Sequence, residues 1–560
     1  MKKNFLYLTL GVALVALTGC SKKIGAFESA YFNTNPTPLE TVGENVPATI
    51  TGNIPAKFMQ KNAKVTATPV LVYEGGETSG SPVVIQGENV RANGQVVSYA
   101  NGGSVQIPFN TKYSPEMAES NLYLDFQVDQ NGKSYGLPRV KVGYGIIATS
   151  TLATAETIQP AITADKYQRI INEKYNAEIM FLINQAIIRK DQINAPDYVD
   201  LNKRLEQANA APNQEIAGIN IFSTASPDGT LAFNTQLAEK REAVTTTFME
   251  NQLKKDKITN FGEITSSFTP EDWEGFQQLV EKSNIQDKDL ILAVLKMYKD
   301  PNQREQEIKN MSSVFDELAK EILPKLRYSK IQASINIIGK SDEEMIQLFN
   351  TDPSKLTEDE ILYIATLTND NTRKMEIYKK ASQLYPNSYR AFNNLGMTQY
   401  VAGDYSAAKS SFEKAKRLDP SSKEVDMNMG LIELVNGNYS KANEYIGSAA
   451  GVPEANDALG VYYLTQGEVT KANTAFGSAK TNNAALAKIL SKDYSAAQSI
   501  LSAVPQPDAT TYYLAAVVGA RTNNESAVIN NLKKAVSLDN SMLEQARNDL
   551  EFANYNLSGI

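Results

Sequence analysis

Residues 393–420 read NNLGMTQYVAGDYSAAKSSFEKAKRLDP, and a related stretch follows 34 residues later (430 − 396 = 34). The positions that match between the two copies are Gly396 and Gly430, Ala408 and Ala442, and Phe412 and Ile446. The apolar residues recur every three to four positions, which predicts two amphipathic helices in each copy. A small residue on the first helix lets the second helix approach, and a large side chain on the second helix fills the space beside it. The C-terminal part of the chain is therefore predicted to be an all-α array of helix pairs.

The same pattern extends in both directions along the chain. An earlier copy contains Tyr378, Ala381 and Pro386, and later copies follow at intervals shortened to 30, 25 and 31 residues (430 to 460, 460 to 485, 485 to 516). A period of 34 residues with this spacing resembles the tetratricopeptide repeat, which implies a solenoid over residues 341–560. A generic alanine-rich helical bundle is the alternative.

In a tetratricopeptide solenoid the first helix of each pair lines a concave surface. The resemblance assigns six residues to this surface, which is our candidate groove for protein partners: Asn393, Met397, Tyr400, Met427, Leu431 and Leu434. Methionine and aromatic side chains adapt to varied ligands, which favours a binding surface for other envelope proteins. Packing of the same surface against the chain's own middle domain is an equally open alternative.

The first twenty residues indicate where the protein goes. Lys2 and Lys3 precede an apolar run that is too short to span a bilayer, so residues 1–19 are predicted to be a signal peptide. The sequence LTGC at 17–20 resembles the bacterial lipobox, which implies cleavage before Cys20 and a lipid on its thiol. We expect this lipid to anchor the protein in the outer membrane; a simple secretory peptide is the alternative. Residues 21–23 (SKK) lack an acidic run, which favours the periplasmic face over exposure on the cell surface.

Residues 20–150 have the composition of a β-domain. Valine, isoleucine, threonine and tyrosine dominate, and glycine, proline and asparagine interrupt them at short intervals. Residues 122–128 alternate apolar and polar side chains, as a half-buried strand does. Regular short strands separated by turn residues predict an all-β sandwich, followed by a linker of small residues over 151–165.

Residues 166–340 alternate between strand and helix patterns, which predicts an α+β domain. We expect strands at 177–183, 217–222 and 328–338, and an amphipathic helix at 234–254. The strand order and the helix that follows Gly229 resemble the C-terminal domain of OmpA-like proteins. This resemblance implies a βαβ-type domain, which in many members binds peptidoglycan.

In such domains an aspartate before the helix and an arginine within it hold the diaminopimelate ends of the stem peptide, because each charged end needs an opposite charge. By this resemblance the candidate peptidoglycan-binding residues are Asp228, Asn234 and Arg241. Ser226 occupies the family's aspartate position, so Asp228 replaces it only if the loop is reshaped.

The alternative for Arg241 has no ligand. Its neighbours along the helix include Glu239 and Glu242, so the guanidinium would face water or pair with one of these carboxylates. An isolated arginine on a charged helix often marks only a solvated face.

Composition excludes several kinds of chemistry. The 560 residues include no histidine and one cysteine, which excludes a histidine base, a disulfide within the chain and histidine- or cysteine-ligated metal centres. The net charge of 55 − 63 = −8 argues against nucleic acid as a partner. No phosphate-loop, EF-hand or nucleophile-elbow spacing is present. We therefore expect a protein that is not an enzyme and has no metal or other cofactor.

The order of lipobox, β-domain, OmpA-like domain and helical repeats resembles a group of outer-membrane lipoproteins known as immunoreactive antigens, of about this mass (61.4 kDa). The sequence favours a lipid-anchored scaffold that binds envelope proteins through its repeats. A peptidoglycan tether that uses Arg241 is the first alternative. A glycan-binding β-domain is the second, although residues 20–150 offer no evident carboxylate pair or aromatic platform for a glycan.

Overall fold

A computed structural model describes residues 23–285 and 287–560, without the side chains of 312–314. The predicted signal peptide and Cys20 lie outside the described residues. The described residues form two compact units: the first contains residues 23–164 together with 368–560, and the second contains residues from 165 to 367. None of the helices formed by the described residues has the length and apolar character needed to cross a bilayer.

Residues 32–147 of the first unit form β-strands in several sheets. Their bounds are β1 Phe32–Asn35, β2 Leu39–Glu40, β3 Ala48–Ile54, β4 Ala63–Tyr73, β5 Gly76–Ser79, β6 Val83–Gly87, β7 Gln95–Val97, β8 Gly103–Phe109, β9 Ser120–Gln130, β10 Lys133–Tyr144 and β11 Ile146–Ile147. One sheet has the order β1-β3-β8, the largest has the order β10-β9-β4-β6-β7 with β5 beside β4, and β11 pairs with β2. Ile50 and Ile107 of the first sheet share one buried core with Val65 and Leu124 of the second. The alternation predicted for residues 122–128 is confirmed, because each apolar residue there points into this core.

The second unit is a mixed α/β structure. Its elements are β12 Ile170–Met180, α1 Lys190–Ile193, α2 Pro196–Ala210, β13 Gln214–Ala225, α3 Leu231–Lys255, β14 Phe261–Glu271, α4 Trp273–Lys282, α5 Lys288–Met297, α6 Pro301–Asn310, α7 Ser312–Glu321, β15 Tyr328–Ile338, α8 Asp342–Thr351 and α9 Glu358–Ile364. The sheet order is β12-β15-β13-β14. Strands β13 and β14 are parallel and α3 connects them, so this part of the unit is a βαβ motif.

The structure and the sequence-based boundaries differ at two places in this region. The predicted strand 177–183 ends at Met180 and starts earlier, at Ile170. Residues after Met180 leave the sheet, because carbonyl groups of this loop are hydrogen-bonded to the buried Arg241. Residues 341–367 were assigned to the repeats but lie in the second unit, where Lys340 forms an ion pair of 2.8 Å with Glu360.

Residues 371–548 of the first unit are helical. The bounds are α10 Asn371–Leu384, α11 Tyr389–Val401, α12 Tyr405–Leu418, α13 Lys423–Val435, α14 Tyr439–Ser448, α15 Ala455–Thr465, α16 Val469–Phe476, α17 Asn482–Leu490, α18 Tyr494–Leu501, α19 Ala509–Arg521, α20 Glu525–Leu538 and α21 Ser541–Asn548. Successive helices pack in pairs from α11/α12 to α19/α20. The predicted close approach is confirmed: a Cβ added to Gly396 would lie 2.6 Å from the Phe412 ring, and one added to Gly430 would lie 2.6 Å from Ile446.

Candidate functional site

The first helices of the pairs hold a segment of the chain's own linker. Residues 153–163, which we call the groove segment, have no regular helix or strand of their own. Ala155, Ile158 and Ala161 of this segment are at most 6% exposed and belong to the same buried core as the helical repeats. The residues predicted to be a simple linker are thus part of the core of the first unit.

Three asparagine side chains bind the backbone of the groove segment, and each forms two hydrogen bonds to the main chain of one residue. Asn428 accepts from the Ala161 amide at 2.7 Å and donates to the Ala161 carbonyl at 2.7 Å. Asn394 makes the same pair of backbone bonds with Thr163, at 2.9 and 3.0 Å, and its oxygen also accepts from the Thr163 hydroxyl at 2.8 Å. Asn483 makes them with Thr154, at 3.1 and 2.8 Å. A side-chain amide can satisfy one backbone donor and one backbone acceptor together, which is what an extended buried peptide requires.

These asparagines occupy equivalent positions in their repeats. Each lies two residues before the small residue at the helix crossing, since Asn394, Asn428 and Asn483 precede Gly396, Gly430 and Ala485. An asparagine thus recurs at a fixed distance from the small residue in three of the repeats. That recurrence is the signal that could have identified the groove ligands, although Ala458 and Leu514 interrupt it in the remaining repeats.

Two of the six predicted groove residues bind the groove segment directly. Asn393 donates to the Ala161 carbonyl at 3.0 Å, and the Tyr400 hydroxyl donates to the Ala155 carbonyl at 2.8 Å. Burial raises the pKa of the Tyr400 hydroxyl above its ordinary value. The three remaining buried residues, Met427, Leu431 and Leu434, belong to the core that contains the groove segment, and Met397 is half-buried. At Asn393 and Tyr400 the chain's own backbone therefore occupies the surface that the sequence predicts for a partner.

A partly buried polar cluster joins the β-strands to the last helices at one end of the groove segment. The Arg521 guanidinium donates to both carboxylate oxygens of Glu551, at 2.7 and 2.9 Å, and to Glu40 of β2. Thr149, just before the groove segment, donates to Glu551 at 2.6 Å. Burial raises the pKa of the Glu551 carboxyl, while the bonds from Arg521 oppose this shift. Because Arg521 and Thr149 share one carboxylate, the position of the linker is coupled to the position of α19.

Arg241 of the second unit is buried with an exposure of 0%, so it neither faces water nor pairs with Glu239 or Glu242. Its guanidinium donates to the carbonyls of Gln185 at 3.0 Å, Thr224 at 2.9 Å and Leu182 at 3.2 Å. Burial, followed by the charge of Arg327, lowers the pKa of Arg241 to about 10. The neighbouring charges in sequence suggested a solvated helix face, but Arg241 lies on the same face as the buried Asn234 and Ala238.

Asp228 and Asn234 have protein partners of their own. Asp228 forms an ion pair of 2.9 Å with Arg327 and accepts a hydrogen bond of 2.7 Å from Ser226. Asn234 donates to the Gly229 carbonyl at 3.0 Å and to Glu271 at 2.8 Å. The structure therefore brings the three predicted peptidoglycan-binding residues into one region, but Arg327 rather than Arg241 is the cation beside Asp228.

The acidic run at 271–274 does not form a catalytic pair. Glu271 accepts from Asn234 and from the indole of Trp273 at 2.9 Å, whereas Asp272 accepts from the Tyr328 hydroxyl at 3.0 Å and caps α4. These two carboxylates thus accept hydrogen bonds from different donors. Within the described part of the chain, no three acidic or cysteine side chains come together as metal ligands.

Several solved structures are similar to part of this chain. A tetratricopeptide repeat protein from Parabacteroides merdae is 14% identical, with 37% of this chain and 91% of that chain covered and a TM-score of 0.31. The pilF protein of Pseudomonas aeruginosa is 14% identical, with 34% and 95% covered and a TM-score of 0.29. A chain of the APC/C hetero-tetramer Cut9–Hcn1 is 18% identical with a TM-score of 0.30; the match covers 36% of this chain and less than half, 44%, of that chain.

No family model matches the sequence, and no curated protein matches it. The repeat character of residues 371–548 rests on the chain's own helix pairs and on the close glycine contacts between their helices.

Proposed function

We propose that the protein is a non-enzymatic scaffold of the cell envelope, in which the helical repeats bind the chain's own linker and bind protein partners on surfaces outside the groove. The observation that carries this proposal is the binding of the groove segment by Asn394, Asn428 and Asn483. Apart from the Thr163 hydroxyl, the atoms of the segment that these asparagines bind belong to the backbone, so the groove recognises main-chain polar groups rather than a charged side chain. With this ligand in place, the β-strands and the repeats form one rigid platform for partners.

A photo-reactive residue introduced at Lys441, which is exposed on α14, tests where partners bind. In intact envelopes this variant should crosslink to another protein. The same probe at Met427, which is buried in the groove, should crosslink only within the chain, to residues 153–163. Crosslinks from position 427 to another protein would show that partners enter the groove, and would contradict the proposal.

We also propose the anchor on Cys20 and the periplasmic face of the outer membrane, which rest on the lipobox and on the absence of an acidic run at 21–23. Lipoprotein processing requires a thiol, so Cys20→Ser should abolish acylation and release the protein from the membrane fraction. Retention of this variant at the level of the wild type would remove lipid as the anchor.

The peptidoglycan tether is the weaker proposal. Arg241 uses three donors on backbone carbonyls, and Arg327 already balances the charge of Asp228. A diaminopimelate group would have to displace one of these partners, so we expect weak binding to isolated sacculi.

A further inference from the structure

The two edges of the sheet in the second unit differ in their protection. The edge strand β12 carries Glu173, Lys174 and Glu178. The opposite edge strand, β14, carries Glu263 and Glu271 near its ends and Pro270 beside the second, but its centre at residues 264–269 reads ITSSFT and has neither a charge nor a proline. Proteins usually protect an exposed edge with charges, bulges or a covering element, because unpaired backbone groups bind other strands. The uncharged centre of the β14 edge therefore requires an explanation.

The geometry of β14 suits strand pairing. Its inner side pairs with β13 in a regular parallel register from Gly218/Glu263 to Thr224/Thr269, and the register shifts only at the following residue. Among the residues that the structure describes, no strand pairs with its outer side. The consecutive residues Thr265 to Phe268 are all exposed, so both faces of the strand are open at its centre.

We propose that the outer edges of β14 from two copies of this chain pair with each other in an antiparallel arrangement centred on Ser266. In an antiparallel pair, opposite residues alternate between hydrogen-bonded and non-hydrogen-bonded positions, so a two-fold axis requires one residue to lie opposite its own copy. With Ser266 at the axis, Ile264 lies opposite Phe268 and Glu263 lies opposite Thr269. Each copy thereby gains an aromatic–aliphatic pair, and no carboxylate faces a carboxylate.

The neighbouring registers fit less well. With Ser267 at the axis, Glu263 of one copy would lie opposite Glu271 of the other, and like charges directly opposite are unfavourable. With Thr265 at the axis, Phe268 would lie opposite Gly262 and lose its apolar partner. The self-complementarity of the strand about Ser266 is the reason that a second copy is the proposed occupant. The contact is short, so we expect a weak dimer that forms with rising protein concentration.

Charge-swap variants of the full chain test both the pairing and its register. Because residue 266 lies opposite itself, Ser266→Lys and Ser266→Glu should each weaken the dimer about tenfold or more, measured by analytical ultracentrifugation over a range of concentrations. A mixture of the two variants should recover dimers, since lysine then lies opposite glutamate. A mixture of Ser267→Lys and Ser267→Glu should not show this rescue, because residue 267 lies opposite Thr265 in the proposed register. The matched edge variant Asn172→Lys on β12 should leave the dimer unchanged.

A cysteine crosslink gives an independent readout, because the chain has one native cysteine. In a Cys20→Ser background, Ser266→Cys should form a crosslinked dimer on oxidation or with a short bis-maleimide, since opposite Cβ atoms in a strand pair are about 5 Å apart. Asn172→Cys should stay uncrosslinked under the same conditions. A wild type that is monomeric at all concentrations, or a dimer that Ser266→Lys leaves unchanged, would overturn the proposal. Loss of a different co-purifying protein from a monomeric Ser266→Lys variant would also overturn it and assign the edge to that protein.

Discussion

Asn428 holds both backbone polar atoms of Ala161, a residue 267 positions earlier in the chain, with an accepted and a donated hydrogen bond of 2.7 Å each. Both residues are buried, so water is not available to either backbone group. A buried backbone amide or carbonyl without a hydrogen-bond partner lowers the stability of the folded state. Asn428 avoids this penalty for both backbone groups of Ala161. The groove segment can therefore lie in the core although it forms no strand or helix.

Asn428→Ala should destabilise the first unit by about 1–3 kcal/mol, the cost of leaving the Ala161 amide unsatisfied. The Ala161 carbonyl keeps a partner in Asn393, which limits the loss. Chemical denaturation of the full chain measures the change, and limited proteolysis should show earlier cleavage within residues 153–163. Asn443→Ala, an exposed asparagine on α14, is the matched control and should change neither readout. Equal protease resistance in the two variants would contradict a holding role for Asn428.

Gly396→Ala should overpack the crossing of α11 and α12. The new Cβ would lie 2.6 Å from the buried Phe412 ring, which has no space to retreat, so we expect a loss of about 1–3 kcal/mol in the free energy of unfolding. Phe412→Leu combined with Gly396→Ala should recover part of this loss. Gly447→Ala is the control, because its Cβ meets nothing within 4 Å on α14, and it should stabilise the helix by about 0.5–1 kcal/mol. A similar effect of both glycine substitutions would show that packing is not the cause.

The sequence predicts the helix pairs well because their packing depends on local, repeated positions. Gly396 and Phe412 lie sixteen residues apart (412 − 396 = 16), and the same spacing recurs at Gly430 and Ile446. The occupied groove was not predicted, because its contacts join residues more than two hundred positions apart and the segment itself has no periodicity. Small residues such as Ala155 and Ala161 are equally compatible with an exposed linker and with a buried one.

The burial of Arg241 is a second feature that the sequence did not predict. Its neighbours Glu239, Lys240 and Glu242 suggested a solvated surface, but helical geometry places residues three and four positions apart on one face. Leu237 and Ala238 are buried on that face, which was visible in the sequence. The carbonyls that bind Arg241 belong to a loop and to the end of β13, and no sequence pattern indicated that they would converge there.

Arg241→Ala should destabilise the second unit by roughly 1–3 kcal/mol, because it leaves the buried Thr224 carbonyl without its donor and removes two partly buried hydrogen bonds to the loop carbonyls of Leu182 and Gln185. Unfolding of this unit can be followed by the fluorescence of Trp273, the only tryptophan. Lys240→Ala removes the same charge from an exposed position on the same helix and should change the free energy of unfolding by less than about 0.5 kcal/mol. If Arg241→Ala instead left stability unchanged and abolished binding to sacculi, Arg241 would be a ligand-binding residue and the peptidoglycan tether would be favoured.

The protonation of Glu271 should be visible in the fluorescence of Trp273, whose indole donates a hydrogen bond of 2.9 Å to this carboxylate. Burial raises the pKa of Glu271 above its ordinary value of 4.5, against the opposing hydrogen bonds from Asn234 and Trp273. The folded state thus binds this proton more tightly than the unfolded state does. The stabilisation is complete below the unfolded pKa and is lost as the pH rises through the folded pKa.

Two measurements test the upward shift of the Glu271 pKa. Titration of the Trp273 emission should show a transition with a midpoint above 4.5, which Glu271→Gln should abolish and Glu274→Gln, an exposed carboxylate one residue after the indole, should leave in place. The free energy of unfolding of the wild type should also rise relative to that of Glu271→Gln as the pH falls through the raised folded pKa towards 4.5. A wild type that instead loses stability relative to Glu271→Gln as the pH falls below about 4.5 would mean that the folded protein favours the charged carboxylate, and that hydrogen bonds from Asn234 and Trp273 outweigh the burial of Glu271.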